Sequence, residues 1–237
     1  MSASTAILKV PEVVYPESDG LPLSDNTRQF RWIMTIQGGL EAQYSSDANV
    51  FVAGNLLWYP VEGDNKTRTA PDVMVALGRL KGDRGSYRQW VEGDIAPQVV
   101  FEIVSPGNSA GVLTEKFNFY NRFGVEEYYL YDPDENQLDG WIRREGSLTR
   151  VDQMDGWVSP LLGIRFDLSG PELRVMGKAG EPFVPTAKAL QQRNEAMQQR
   201  DEAMQAQTEA ERTAALAREA NEKLKAQLRQ LGVEPEA

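Results

Sequence analysis

The chain has 237 residues and contains neither cysteine nor histidine. The lack of cysteine excludes disulfides, iron–sulfur clusters and thiol nucleophiles, and it favours a reducing, cytoplasmic location. The lack of histidine excludes Ser-His-Asp triads and histidine-based zinc sites. A net charge of −10 argues against a broad nucleic-acid-binding surface. No segment approaches 18 continuous apolar residues, so the sequence predicts no membrane span.

The first 185 residues predict an arm followed by a mixed α/β domain. Residues 1–25 are rich in proline and acidic residues and indicate an irregular acidic arm, with Ser24 or Asp25 as the N-cap of the next element. Residues 26–185 carry helix and strand patterns. These patterns predict, in order, a helix over 27–44, strands over 50–59, 72–77 and 98–105, a helix over 109–123, a strand over 127–131, and short strands near 138–144, 148–152 and 162–176. The strand–helix–strand passage among other strands favours a mixed sheet.

Residues 186–237 predict a long helical segment. From residue 186 to 231 there is no Gly or Pro, and the heptad QRNEAMQ (192–198) is followed at once by QRDEAMQ (199–205). Leucines spaced around Asn221 favour a parallel homodimer or small homo-oligomer through residues 206–231, with the asparagine fixing the register of the coiled coil. A solvated single helix is the alternative.

Two carboxylates interrupt apolar strand patterns. Glu102 lies within VVFEIV (99–104), a run that is apolar on both faces and is typical of a central strand. An ionised carboxylate there is costly unless it is paired or bound to a metal. Asp72 precedes a second apolar run, VMVAL (73–77). If the two strands are neighbours, both carboxylates can bind one Mg²⁺ ion. The alternatives are a strand end exposed to water or a structural ion pair at Glu102, and an ordinary turn at Asp72.

Basic residues lie near both acids in the sequence. Lys116 is on the helix that follows Glu102, one turn before Tyr120, where an ammonium group can orient a water or stabilise a transition state. Residues 66–88 hold six basic residues against two acidic ones, with Tyr87 inside this window and Trp90 just after it. Such a window favours phosphate contact. A solvated lysine and a solvated charged loop are the alternatives.

These motifs occur in an order that resembles a known family. PDVMV (71–75), PQVVFEIVSPGNSAG (97–111) and EKFNFYNRFGVEEYYLYDPD (115–134) resemble the Uma-two family of restriction-type endonucleases in the PD-(D/E)XK nuclease superfamily. The resemblance covers roughly residues 26–175. It implies a restriction-endonuclease-like fold, in which a mixed sheet is flanked by helices.

The resemblance also implies roles for individual residues. Asp72 and Glu102 match the two acids, which would hold Mg²⁺ or Mn²⁺ together with the carbonyl of Ile103. Val104 stands where the superfamily carries its usual lysine, so Lys116 on the next helix is the candidate catalytic lysine. The implied reaction is metal-assisted hydrolysis of DNA phosphodiester bonds.

Further candidates are less well defined. Glu41, late in the first helix, is an additional candidate acid. The candidates for contact with DNA phosphates are Arg79, Lys81, Arg84 and Arg88. Two other functions stay open: a nuclease-fold module that binds DNA or assembles without useful activity, which the missing strand lysine and the acidic charge favour, and a structural protein whose main part is the helix over 186–231.

Overall fold

The computed structural model describes residues 13–18, 20, 24–185, 207 and 209–212. The chain divides into two compact units, Met1–Thr186 and Ala187–Ala237. In the second unit the described residues are helical, and the Gln207 amide donates to Glu211 at 2.9 Å. The rest of the segment for which a coiled coil and an oligomer are predicted lies outside the described residues.

The first unit alternates helices with short strands. Its elements are α1 (Thr27–Gln43), β1 (Val50–Gly54), β2 (Trp58–Tyr59), β3 (Val73–Leu77), β4 (Tyr87–Arg88), a 3-10 helix (Gln89–Glu92), β5 (Val99–Ile103), α2 (Ala110–Arg122), β6 (Glu127–Asp132), β7 (Gln137–Arg144), β8 (Ser147–Arg150), β9 (Arg165–Asp167) and β10 (Arg174–Met176). Within the described residues, no helix has the length and apolar character needed to cross a membrane.

Six strands form the central sheet in the order β1-β3-β5-β6-β7-β8. Strands β5 and β6 are parallel and are connected through α2, whereas the other neighbouring pairs are antiparallel. The predicted mixed α/β sheet flanked by helices is therefore confirmed. β5 is a central strand, and all five of its residues are buried, as the two-sided apolar run predicted.

Each face of the sheet is covered by its own hydrophobic core. On one face, Trp32 and Ile36 of α1 pack in a cluster with Phe101 of β5 and Phe166 of β9. The other face carries a cluster built around Tyr120 of α2, together with side chains of β2, β4 and β5. The strands that lie between the two helices are thus shielded from water on both sides.

The first helix begins at Thr27, as predicted, but its N-cap residue differs from the expected one. Asn26 is its N-cap, and the Asn26 side chain accepts hydrogen bonds of 2.9 Å from the backbone N–H groups of Arg28 and Gln29. The expectation of Ser24 or Asp25 at this position was wrong, because Asn26 is the residue whose side chain reaches the free N–H groups of the first turn. Gly39 does not break the helix, and the ring of Phe183 occupies the space that a larger side chain would need there.

The single strand predicted over 50–59 is two strands in two different sheets. β1 ends at Gly54, and Asn55 then adopts a left-handed backbone conformation with φ of 52°. The chain turns away from the large sheet, and β2 pairs instead with β4 in a two-stranded parallel ribbon. Hydropathy alone does not reveal this break, because the residues on both sides of Asn55 are apolar.

The second helix is fixed at both ends. Ser109 is its N-cap and accepts from the Val112 N–H at 3.3 Å. At the other end, the Arg143 guanidinium of β7 donates to the carbonyls of Tyr120 and Asn121 at 3.3 and 2.9 Å. A cation at this end also complements the helix dipole. These contacts hold α2, and the side chains it carries, in place over the sheet.

Candidate active site

The strand register brings Asp72 and Glu102 together. In the antiparallel pairing of β3 with β5, Val73 lies opposite Phe101. The same register, continued by one residue, places Asp72 opposite Glu102. Directly opposite residues of antiparallel strands project from the same face at short range. Two carboxylates that are 30 residues apart in sequence therefore lie side by side at the start of β3.

Asp72 is held by backbone and amide donors. The residue is 5% exposed, and its Oδ2 atom accepts from the Ile103 N–H at 2.7 Å and from the Gln29 Nε2 atom at 3.4 Å. Burial, followed by the negative charge of Glu102, raises the pKa of Asp72 to about 7. The carboxyl group of Asp72 is consequently poised between its neutral and ionised forms near neutral pH.

Two side chains of α2 donate hydrogen bonds to the carboxylate of Glu102. As a whole residue, Glu102 is 2% exposed. Lys116 Nζ donates to its Oε2 atom at 2.7 Å, and the Tyr120 hydroxyl donates to its Oε1 atom. Burial and the adjacent Glu102 charge raise the pKa of Tyr120 well above its ordinary value, so the hydroxyl stays a donor. Lys116 and Tyr120 are one helical turn apart, which lets them reach both oxygens of one carboxylate.

Gln29 is a further member of the site, and sequence reasoning missed it. Its Nε2 atom donates to the Ile103 carbonyl at 3.2 Å as well as to Asp72. Its Oε1 atom accepts from the Asp25 N–H at 2.8 Å. The available signal was its place three residues after Asn26, which is the position of a capping-box glutamine. That signal points to a helix terminus and does not point to a site.

The donor set suits a hard divalent cation. The carboxylates of Asp72 and Glu102 and the carbonyl of Ile103 are oxygen ligands, which Mg²⁺ and Mn²⁺ prefer. In the part of the chain that the structure describes, no group of three or more acidic, histidine or cysteine side chains could hold a metal. A cation at this position would therefore rely on two carboxylates, one carbonyl and water. Mg²⁺ commonly keeps several waters.

Comparison with known proteins identifies the family. A family model with the description "Putative restriction endonuclease", that of the Uma-two family, matches residues 21–175. The match covers more than half of the chain. The chain belongs to the Uma-two family.

One solved structure illustrates what this Uma-two chain is similar to. It is described as "a putative nuclease belonging to DUF820" and comes from Anabaena variabilis ATCC 29413. The two chains are 18% identical, with a TM-score of 0.40, and the likeness covers 54% of the Uma-two chain and 70% of the other. No curated protein matches the Uma-two chain.

Glu41 does not join the acidic pair. It lies twelve residues after Gln29 on α1, which is about 18 Å at 1.5 Å per residue, and it accepts a 3.2 Å hydrogen bond from Gln37. Helix α1 thus presents Gln29, rather than Glu41, to the site of the Uma-two domain. Glu41 lies late in α1, as the sequence predicted, and within the described residues no hydrogen bond joins it to Asp72 or Glu102.

Most of the predicted phosphate-binding residues have partners within the fold. Arg79 and Arg84 donate to the same carboxylate, Glu92, at 3.0 and 2.6 Å. The Arg84 hydrogen bond is the main reason that the pKa of Glu92 is lowered. Lys81 donates to the Tyr44 carbonyl at 2.6 Å. Arg88 is exposed and lies in β4.

The chain direction also separates most of this window from the acids. Asp72 immediately precedes β3, whereas Arg79, Lys81 and Arg84 follow the other end of that strand. Five residues of strand span roughly 16 Å. Asp72 and these basic residues are close in sequence because β3 is short. They nevertheless lie at opposite ends of that strand.

Proposed function

We propose that the Uma-two domain is a divalent-metal-dependent endonuclease that hydrolyses DNA phosphodiester bonds. The observation that carries this proposal is the buried pairing of Asp72 with Glu102, with Lys116 2.7 Å from Glu102. Membership of a family described as restriction endonucleases supports the same reaction. Buried like charges destabilise a fold and are typical of functional sites.

Each residue would have a defined task. Asp72, Glu102 and the Ile103 carbonyl would hold the cation, and Tyr120 would keep the Glu102 carboxylate in its orientation. When bound, Mg²⁺ or Mn²⁺ supplies charge neutralisation at the phosphate and a more acidic water. Lys116 is 23% exposed, so its ammonium group can face a substrate phosphate while it remains next to Glu102.

Contact with the DNA backbone would come from the loop before Asp72. Arg68 donates only to uncharged groups among its described contacts, the Tyr59 hydroxyl at 3.5 Å and the Asn65 carbonyl at 3.1 Å. Two contacts connect this loop with the site. Thr69 forms a β-bridge with Trp58, and the ring of Trp58 stacks on the ring of Tyr120.

Two more basic residues extend the same surface. Lys66 is exposed in this loop. Arg88 pairs with Tyr59 in the β2–β4 ribbon. We therefore place Lys66, Arg68 and Arg88 ahead of Arg79, Lys81 and Arg84 as phosphate contacts.

Metal-dependent nicking of supercoiled plasmid tests the proposal. Wild-type protein should nick DNA with Mg²⁺ or Mn²⁺ and not with chelator, and Glu102→Gln should lose the activity. Glu115→Gln is the matched control, since it makes the same change at an exposed position of α2 and should nick like the wild type.

Two outcomes would contradict the proposal. Equal nicking by wild type and Glu102→Gln would assign the activity to a contaminant or to another site. Metal-dependent DNA binding without nicking would favour the alternative of a nuclease-fold binding module, in which Lys116 and Tyr120 satisfy Glu102 for structural reasons.

A further inference from the structure

A glutamine amide lies between two of the oxygen atoms assigned to the cation. Gln29 is 6% exposed, at the start of α1. Its Nε2 atom is 3.2 Å from the Ile103 carbonyl oxygen and 3.4 Å from Asp72 Oδ2. A single N–H-bearing group thus contacts one carbonyl and one carboxylate, which are the kinds of atom that a hard cation contacts.

The surroundings of Gln29 allow only one orientation of its amide. The Asp25 N–H lies 2.8 Å from Oε1 and can only donate. The Ile103 carbonyl, on the other side, can only accept. Reversing the amide would place a donor against a donor and an acceptor against an acceptor. The amino end, which carries partial positive charge, therefore faces the site.

We propose that Gln29 is a resident occupant of the cation position, which a divalent metal must displace in order to bind. The inference rests on the proposed function, and it goes further because it makes Gln29 a positioning residue that sets metal affinity. In the metal-free chain the amide satisfies Asp72 and Ile103. In the metal-bound chain the cation replaces the Gln29 amide as the partner of Asp72 and of the Ile103 carbonyl.

Competition of this kind has a direct consequence for metal binding. Removing the amide should tighten metal binding, because the cation then displaces nothing. Gln29→Ala should lower the dissociation constant roughly fivefold, the equilibrium equivalent of one net hydrogen bond. Gln29→Glu should lower it by roughly tenfold or more, because it keeps an acceptor for the Asp25 N–H and adds a third carboxylate.

The test is equilibrium binding of Mn²⁺ to the full chain, followed by the electron paramagnetic resonance signal of the free ion, with Mg²⁺ as competitor. Gln43→Ala is the matched control, since Gln43 is at the far end of the same helix and its side chain contacts the backbone of Leu162 and Lys178. Its affinity should equal that of the wild type. Thermal unfolding without metal checks that each variant is folded. Gln29→Met, which keeps a side chain of similar length but has no N–H donor and adds no charge, decides the question if Gln29→Ala does not fold.

The outcomes separate this inference from the proposed function. Tighter Mn²⁺ binding by Gln29→Ala or Gln29→Met supports the occupant role. Unchanged or weaker binding by them, with wild-type binding still abolished by Glu102→Gln, overturns this inference alone, and weaker binding would show that the amide supports the bound ion. A wild type that does not bind Mn²⁺, or that binds it equally after Glu102→Gln, overturns the proposed function as well.

Discussion

The titration of Asp72 ties the stability of the fold to pH. Burial and Glu102 raise the pKa of Asp72 from 3.8 to about 7 in the folded chain. Between these values the folded chain keeps a proton that the unfolded chain has released. Stability therefore falls as the pH rises from about 4 to about 7. Each pKa unit corresponds to about 1.4 kcal/mol, so ionisation of Asp72 costs roughly 4 kcal/mol of folding free energy.

Asp72→Asn should remove this cost. The amide oxygen still accepts from the Ile103 N–H, so the metal-free variant should match the wild type near pH 4. It should become more stable than the wild type above pH 7, by up to roughly 4 kcal/mol. Chemical denaturation across this pH range, with chelator present, measures the difference.

Asp167 provides a control for Asp72→Asn, because its pKa is shifted in the opposite direction. Hydrogen bonds from Ser169 lower the pKa of Asp167, so Asp167→Asn should lose stability above pH 4 relative to the wild type. If Asp72→Asn is less stable than the wild type at every pH, Asp72 serves the fold through its hydrogen bonds and does not carry the like-charge strain inferred for the site.

The Tyr120 hydroxyl should contribute measurably to stability. Tyr120→Phe leaves one oxygen of the buried Glu102 carboxylate without its donor, and we expect a loss of about 1–3 kcal/mol in the free energy of unfolding. Tyr128→Phe is the control. Its ring is equally buried in the same core, but its hydroxyl has no hydrogen-bond partner within the described residues, so its removal should cost almost nothing. Urea denaturation of both variants compares them, and equal losses would show that the Glu102 contact contributes no stability.

At the residue scale, the sequence pointed to charged members of the site and missed an uncharged one. Asp72 and Glu102 stand out because a carboxylate in an apolar strand pattern needs an explanation. Lys116 stands out by its spacing from Tyr120. Gln29 carries no charge and lies at a helix start, where polar residues are ordinary. Its role depends on contacts with Ile103 and Asp72, which only the folded chain brings within reach.

At the scale of elements, periodicity predicted the long elements and failed for the shortest ones. Both helices and the central strands lie within a few residues of their predicted bounds. The two-residue strands β2 and β4 are too short to show a period of two. Their pairing joins residues 29 apart in sequence. The split at Asn55 depends on one backbone conformation, which hydropathy does not encode.

The buried carboxylate of Glu127 binds residues 159–161 to the sheet. Glu127 of β6 accepts from the Tyr129 hydroxyl at 2.9 Å, from the Leu161 N–H at 2.7 Å and from the Ser159 hydroxyl. All three groups act as donors here. A glutamine would place its own amino group against one of them. Glu127→Gln should therefore destabilise the domain by roughly 1–3 kcal/mol.

The neighbouring Glu126 provides the control for this change. Its side chain is exposed and lies 3.9 Å from Arg143, so Glu126→Gln should alter stability by less than about 0.5 kcal/mol. Thermal unfolding at pH 7 compares the two variants. Equal effects would mean that the carboxylate of Glu127 is not needed to hold residues 159–161 in place.

At the scale of the whole molecule, the net charge opposes nucleic-acid binding. A chain of −10 repels a polyanion at long range, so affinity for DNA must come from a local cluster of positive charge. The structure separates two such clusters that the sequence presents as one window. Lys66 and Arg68 precede Asp72, whereas Arg79 and Lys81 follow the far end of β3.

The salt dependence of DNA affinity distinguishes the two clusters. Lys66→Gln/Arg68→Gln and Arg79→Gln/Lys81→Gln each remove one lysine and one arginine, so the net charge changes equally. If the first pair contacts phosphates, its loss should reduce the slope of log affinity against log salt by roughly 0.9 per contact, or roughly 1.8 in total. The second double variant should keep the wild-type slope. Fluorescence anisotropy with a duplex in chelator measures both. A reduced slope for the second variant would restore the phosphate contacts first predicted at Arg79 and Lys81, and unchanged slopes for both would move the DNA-binding surface to another part of the chain.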